Sequence, residues 1–227
     1  MTSQLEKNTV PAQNQIPDKE FVTFIGSEDA KLRIAFVGNS ITRHEIAPHL
    51  GWMQNCGMAA STPDKDYVHL IYHNLREKFN SVSACICNAA EWEWNYMDGS
   101  TVYHYFEAVK KFQPHILVMR LVENCKAKTF DAPVFGVEYE KFIEYLKNEE
   151  TQVIVSTAFW HHPGDETICQ VAKEQGYPCV CLGDLGELDE MKAIGKFEHS
   201  GVALHPGDLG MQTIADRIMK EIEKLVL

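Results

Sequence analysis

The chain has 227 residues, with 32 acidic against 21 basic side chains and a formal net charge of -11. Nucleic acids and anionic membranes are bound through clustered lysine and arginine, so this charge disfavours both partners. With 45% hydrophobic and 23% charged residues, the composition is globular and argues against a disordered, collagen-like or coiled-coil chain.

The N-terminal segment, residues 1–19, is polar, contains two prolines and shows no hydrophobic period. It predicts an extended arm ahead of a single domain over residues 20–227. The segment lacks the charged-then-apolar pattern of a secretory signal, and no apolar run approaches the roughly 18 residues of a membrane helix. We therefore expect a cytoplasmic protein.

Five continuous apolar runs follow, at residues 33–37, 82–87, 115–119, 152–156 and 178–182. Continuous rather than alternating apolar residues indicate strands buried on both faces of a parallel sheet. Two of the runs contain cysteines two residues apart, Cys85 with Cys87 and Cys179 with Cys181. Each pair shares one strand face, which predicts reduced, buried thiols; we expect no metal and no cofactor.

Helical stripes lie between the runs. Apolar residues recur at helical spacing from Val68 to Phe79, behind a Ser61-Thr62 cap signal, and again over residues 103–112, 139–146 and from about Asp208 onward. The alternation of strand and helix predicts a three-layer α/β/α sandwich with about five parallel strands. In such sheets ligands bind beyond the carboxyl ends of the strands.

The first of these strand ends is followed by residues 38–42, GNSIT. A serine there, after a glycine that permits a tight turn, is placed to act as a nucleophile beside a backbone oxyanion donor. The alternative for Ser40 is a helix cap. Neither a dinucleotide fingerprint nor a P-loop nor a GxSxG elbow is present.

Two further residues suit the same chemistry. Asn124, after the third run, is placed to donate its side-chain amide to an oxyanion, and the alternative is a loop asparagine bonded to its own backbone. His205, in the loop before the last helix, is placed to act as general base for Ser40, and the alternative is a surface histidine.

The ordered set of Ser40, Asn124 and His205 resembles the SGNH (GDSL-like) hydrolases. Residues 36–42 match the nucleophile block with Asn39 in place of aspartate, residues 121–124 resemble the GxN block, and His205-Pro206 with Gly210 resembles the terminal histidine block. The resemblance covers roughly residues 31–225 and is closest to a bacterial subgroup with GNSIT and GVxxHPGDxGM segments. It implies a flavodoxin-like α/β/α fold and a serine esterase that acts on small esters such as acetylated carbohydrates.

Three departures from the SGNH pattern leave alternatives open. Val202 stands where the family has the triad acid, so His205 is steered either by a backbone carbonyl or by another carboxylate such as Glu198 or Asp208. The glycine that follows the second strand is missing, so the third oxyanion donor is the N–H of Ala90, Glu91 or Glu93. Val122 replaces the glycine of GxN, which predicts a shifted Asn124 loop.

Polar residues near the strand ends are candidates for substrate binding: Asn39, Glu91, Glu93, Arg120 and Glu123. Carboxylates beside Trp92 and Trp94 suit a sugar's hydroxyls and apolar face. The alternative is that the tryptophans pack under loops and that Arg120 forms a structural ion pair with Glu93 or Glu123.

The sequence thus predicts a serine hydrolase that cleaves a small ester or an acylated sugar through an acyl-enzyme on Ser40. Two alternatives remain: a catalytically weak domain that binds carbohydrate or another ligand, and an acyltransferase that uses the same residues.

Overall fold

The computed structural model describes residues 21–27 and 29–226. Its centre is a sheet in which the described residues form six strands, in the order β1-β3-β2-β4-β5-β6. Strands β2 to β6 run parallel, and β1 pairs antiparallel with β3 at one edge. The strands are β1 (Val22–Gly26), β2 (Leu32–Gly38), β3 (Val82–Asn88), β4 (Ile116–Arg120), β5 (Gln152–Ser156) and β6 (Cys179–Val180).

The five expected parallel strands are confirmed, and the edge strand β1 was not predicted. The residues of β1 are only half-buried or exposed, so β1 lacks the continuous apolar run that reveals the central strands. At the other edge, β6 is two residues long. The prediction of a buried thiol is therefore wrong for Cys181, which is exposed beyond the end of β6, whereas Cys85 and Cys87 are buried on one face of β3.

Helices cover both faces of the sheet, which confirms the α/β/α architecture. The helices are α1 (Tyr67–Lys78), α2 (Ala90–Asn95), α3 (Glu107–Phe112), α4 (Ala132–Leu146), α5 (Asp165–Gln175), α6 (Ser200–Ala203) and α7 (Asp208–Val226). Apolar residues of α1 and α7 pack on one face, and those of α3, α4 and α5 pack on the other. The described part of the chain contains no helix long and apolar enough to cross a membrane.

The start of α1 differs from the sequence prediction. Residues 63–65 form a separate 3-10 turn, and Asp66 rather than Ser61 or Thr62 caps the helix by accepting from the His69 N–H at 2.8 Å. The Asp66 carboxylate also accepts from the Gly57 N–H at 2.9 Å, so the cap ties α1 to the loop that follows β2. Helices α2, α5 and α6 were not predicted, and the predicted arm of residues 1–19 lies outside the described residues.

Candidate active site

The turn after β2 brings Ser40 to the carboxyl edge of the sheet. Backbone N–H groups of Thr42 and Arg43 both donate to the Asn39 carbonyl, at 2.9 and 3.0 Å, and close the turn. A Cβ atom on Gly38 would lie 2.0 Å from the Thr42 hydroxyl oxygen, so only glycine fits at this position. The half-buried Ser40 side chain consequently stands beyond the strand end.

His205 lies beside Ser40 in the structure, although 165 positions separate the two residues in the sequence. The Ser40 hydroxyl oxygen lies 2.9 Å from His205 Nε2, and His205 Nδ1 lies 2.7 Å from the carbonyl oxygen of Gly201 in α6. A carbonyl can only accept, so Nδ1 carries the proton and Nε2 is left as the acceptor for the serine hydroxyl. This is the tautomer that a general base requires.

The surroundings keep the His205 ring neutral. Burial lowers the pKa of His205 to about 4, although the Gly201 carbonyl acts in the opposite direction. The ring of Trp160 packs edge-on against the imidazole, with centroids 5.2 Å apart and planes at 83°. His205 is therefore an uncharged proton acceptor at pH 7.

Neither carboxylate considered as a third triad member lies behind His205. Asp208 accepts from the backbone N–H and hydroxyl of Ser61, at 2.9 and 2.7 Å, and Glu198 is exposed. Val202, at the family's acid position, is buried in a small apolar cluster. Of the alternatives that the sequence left open, the geometry matches a backbone carbonyl, here that of Gly201.

Asn124 is half-buried in the loop after β4, and the carboxylate of Glu93 binds it. Its side-chain nitrogen donates to Glu93 Oε2 at 2.5 Å, and its backbone N–H lies 3.4 Å from Oε1. Val122 adopts φ = 142°, a value that glycine tolerates and a β-branched residue rarely adopts. Val122 thus adopts a backbone conformation that favours glycine, the residue that the GxN block has at this position.

Four of the residues assigned to substrate binding instead lie beneath the Ser40 turn, with side chains at most 6% exposed. Asn39 donates to Glu93 at 3.1 Å and to Glu123 at 2.7 Å, and it accepts from Arg120 at 3.1 Å. Arg120 forms an ion pair with Glu123. The expectation that Glu93, Arg120, Glu123 and Asn39 bind substrate is wrong for this structure, because their side chains are buried and bonded to one another.

Glu93 and Glu123 are two carboxylates in one buried network with Asn39 and Arg120. Burial and the Glu123 charge raise the pKa of Glu93 to about 7, although donors on Asn124, Val122 and Asn39 favour its ionised form. Glu93 also contacts Asn39, the residue before the candidate nucleophile, so the buried network adjoins the Ser40 turn.

Of the residues after β3 that were considered for substrate binding, some are buried and some are exposed. Trp92 is fully buried and stacks on Phe142 at 4.9 Å, whereas Trp94 is 62% exposed. A cavity of about 120 Å³ is lined by Phe21, Arg43, His44, Glu45, Asn88, Ala90, Glu91 and Trp94. Glu91 and Trp94 therefore remain placed for a ligand beside the segment that follows Ser40.

Two of the three candidate backbone donors are engaged within the chain. The Ala90 N–H donates to the Asn88 side chain at 3.0 Å, and the Glu93 N–H donates to the Ala89 carbonyl at 3.3 Å. Glu91, the third candidate, lies in the first turn of α2. Among residues 21–27 and 29–226, no group of three or more His, Cys, Asp or Glu is arranged to hold a metal ion.

Sequence reasoning named neither Gly201 nor the packing of Trp160 on His205. A backbone carbonyl has no side-chain signal, so only the short helix α6 could have indicated Gly201. Trp160 lies four residues beyond the fourth apolar run, and nothing in the sequence links it to a histidine 45 positions away.

Comparison with solved structures shows which fold this is. A psychrotrophic esterase of Pseudoalteromonas superposes with a TM-score of 0.53 at 11% identity, over 86% of this chain and 98% of its own. An acetyl xylan esterase gives 0.53 at 17% identity, over 83% and 98%. A salicylyl-acyltransferase from a tetracycline biosynthetic pathway gives 0.54 at 15% identity, over 88% of this chain and 56% of that one.

No protein-family model matches the sequence, and no curated protein matches it. The structural likeness is therefore the finding that relates this chain to known proteins. At identities of 11 to 17% it shows the fold: the chain has the three-layer fold of the SGNH (GDSL-like) hydrolases.

Proposed function

We propose that the protein is a serine esterase that cleaves small esters with a Ser40–His205 dyad. One observation carries the proposal: Ser40 Oγ lies 2.9 Å from Nε2 of a neutral His205 whose Nδ1–H is bound by the Gly201 carbonyl. Nucleophile, base and a group that orients the base are the parts that acyl transfer through a serine requires. The esterases among the structural neighbours support the assignment.

In the acylation step, Ser40 Oγ attacks the ester carbonyl carbon and gives its proton to His205 Nε2. The carbonyl oxygen becomes an oxyanion, for which the Ser40 N–H and the Asn124 side-chain amide are the proposed donors. Collapse of the tetrahedral intermediate breaks the carbon–oxygen bond of the ester, and His205 returns its proton to the departing alcohol.

Deacylation repeats these steps with water. His205 Nε2 takes a proton from the water that attacks the acyl-enzyme, and it then protonates Ser40 Oγ as the acid product leaves. During both steps the imidazolium is stabilised by the Gly201 carbonyl dipole rather than by a full negative charge. We therefore expect slower turnover than a complete triad would give, because a base with a pKa of about 4 is a weak proton acceptor.

For the substrate we propose a short-chain ester on a polar alcohol, such as an acetylated sugar. A cavity lined in part by residues 43–45, which follow Ser40 in the chain, combines the exposed ring of Trp94 with the carboxylates of Glu45 and Glu91. Rings and carboxylates of this kind suit the apolar face and the hydroxyls of a sugar. The acetyl xylan esterase among the neighbours supports this choice.

The seven free thiols suit the reducing cytoplasm, which we propose as the compartment.

The test compares hydrolysis of p-nitrophenyl acetate by the unmodified protein, Ser40→Ala and the control Ser100→Ala, an exposed serine bonded to Asp98. We expect turnover to be lost in Ser40→Ala alone, with unchanged circular dichroism in both variants. A fluorophosphonate probe should label the unmodified protein at Ser40. Equal turnover in Ser40→Ala and the unmodified protein would contradict the proposal.

Acyl transfer to a sugar hydroxyl remains a second candidate, because an acyltransferase shares the fold. Product analysis with p-nitrophenyl acetate and added xylose separates the two activities: acetate indicates hydrolysis, and acetylxylose indicates transfer. The binding-domain alternative has less support, since His205 holds the tautomer that catalysis needs. It would be favoured if Ser40 failed to react with the fluorophosphonate while a glycan raised the melting temperature.

A further inference from the structure

Glu93 makes direct contacts with the loop of residues 122–124 that carries Asn124. Its Oε1 accepts from the Val122 N–H at 2.5 Å and lies 3.4 Å from the Asn124 N–H, while its Oε2 accepts from the Asn124 side-chain amide at 2.5 Å. The same carboxylate accepts from Asn39 at 3.1 Å, next to Ser40. One buried carboxylate thus joins the nucleophile turn to the asparagine loop.

The contacts with Val122 matter because this residue is strained. Its φ of 142° lies where a β-branched side chain is unfavourable. Such a conformation persists only where neighbouring contacts hold it, and the short hydrogen bond from its N–H to Glu93 is one of them. Glu93 is 1% exposed and so cannot itself meet a substrate.

We infer that Glu93 is a positioning residue: its ionised carboxylate holds the loop of residues 122–124 so that the Asn124 amide presents its second hydrogen to the oxyanion. The inference rests on the proposed esterase function. One Nδ2 hydrogen of Asn124 is donated to Glu93, and the other is the one that oxyanion binding requires. Glu93 acts on the reaction only through Asn124.

Ionisation is essential because both carboxylate oxygens face N–H groups. A proton on Oε2 would meet the Asn124 amide hydrogen, and a proton on Oε1 would meet the Val122 N–H. To relieve the first conflict, the Asn124 amide must turn over, which puts its acceptor oxygen where its donor nitrogen was. Glutamine at position 93 creates the same conflict, so Glu93→Gln imitates the protonated state at every pH.

The groups around Glu93 fix the direction of the pH effect. Glu123 raises the pKa of Glu93, and Arg120 pairs with Glu123. Tyr139 and Cys125 also face Glu93, and burial, together with the charges of Glu93 and Glu123, raises the pKa of both side chains. Burial and the Glu123 charge place the pKa of Glu93 near 7. Loss of the proton as pH rises through 7 therefore completes the arrangement, and kcat rises with it.

The test is the pH profile of kcat and KM for p-nitrophenyl acetate in the unmodified protein, in Glu93→Gln and in the control Glu107→Gln, an exposed residue paired with Lys111. We expect kcat of the unmodified protein and the control to rise through pH 7. In Glu93→Gln, kcat should be about 10- to 100-fold lower, approaching the loss of an oxyanion donor, with KM within about twofold and no rise near pH 7. A Glu93→Gln profile that matches the control would overturn the inference.

A second measurement does not depend on turnover or on the folding of a variant. In the 15N-labelled unmodified protein, the Asn124 side-chain and Val122 backbone N–H signals should shift together with a midpoint near pH 7. Signals that stay constant from pH 5 to 9 would overturn the inference even if the protein is an active esterase. If Ser40 does not react with fluorophosphonate but the two signals titrate, the link from Glu93 to Asn124 stands and the proposed function fails.

Discussion

His205 Nδ1 lies 2.7 Å from the carbonyl oxygen of Gly201, four residues earlier in the same chain segment. The orienting group of the proposed base is thus local and uncharged. A carboxylate in that place would stabilise the imidazolium and raise the pKa of the histidine, whereas the carbonyl fixes only the tautomer and the ring orientation. The predictions for His205 and for Val202 follow from this contact.

The His205 ring should remain neutral at pH values well below 6.5, the ordinary pKa of histidine. Burial lowers its pKa from 6.5 to about 4, so the unfolded chain binds more protons than the folded protein between these values. Through this histidine, the free energy of unfolding should fall by about 3 kcal/mol as pH falls from 6.5 to 4, and it should be fully restored above pH 6.5. NMR titration of the His205 ring checks the pKa, and a midpoint near 6.5 would contradict it.

The stability effect must be measured as a difference, because Glu93 contributes with the opposite sign. Its raised pKa means that the folded protein binds the extra proton between pH 4.5 and 7, so this contribution falls as pH rises. Urea unfolding of the unmodified protein and of His205→Gln at pH 5 and 7 isolates the histidine. The destabilisation caused by His205→Gln should be larger at pH 7.

Placing the family's acid at position 202 should not produce a better enzyme. Val202 is 1% exposed in an apolar cluster with Trp52 and Ala193, and His205 Nδ1 already has a partner. Val202→Asp should lower the free energy of unfolding by about 3 kcal/mol, the cost of a buried carboxylate without a partner. Urea unfolding beside the isosteric control Val202→Thr checks this, and a higher kcat in Val202→Asp would contradict it.

Glycine at position 122 should be tolerated better than alanine. Both Val122→Ala and Val122→Gly remove buried methyl groups, but only glycine relieves the strain at φ = 142°. Replacing alanine by glycine normally destabilises a protein by about 0.5–1 kcal/mol. Here we expect Val122→Gly to be about 1 kcal/mol more stable than Val122→Ala, because the relieved strain is larger. Equal or reversed midpoints in urea would show that Val122 is unstrained.

Restoring the usual aspartate at position 39 should be harmful. The Asn39 amide nitrogen donates to both Glu93 and Glu123, and an aspartate would set a third carboxylate against these two. Asn39→Asp should lower the free energy of unfolding by about 3 kcal/mol and reduce kcat, with the exposed Asn80→Asp as control. Thermal unfolding and p-nitrophenyl acetate turnover check this. Gain of activity in Asn39→Asp would show that the network does not depend on the amide donor.

Much of the architecture was predictable because the central strands are continuous apolar runs and the turn at Gly38 needs glycine for steric reasons. The edge strand β1 escaped prediction because its residues are half-exposed. The substrate-binding roles of Glu93, Arg120 and Glu123 were wrong because sequence places a residue at a strand end without showing which way its side chain points. The role of the Gly201 carbonyl could not be predicted, since every residue has a backbone carbonyl that can accept a hydrogen bond.

In the proposed mechanism, Ser40 carries the acyl group between two half-reactions. The most direct measurement mixes the unmodified protein briefly with p-nitrophenyl acetate, quenches in acid and locates the acetyl group by peptide mass spectrometry. We predict acetylation of the peptide that contains Ser40, lost in Ser40→Ala together with p-nitrophenol release. Steady hydrolysis with the acetyl group on another residue, or undiminished release in Ser40→Ala, would contradict an acyl-enzyme on Ser40.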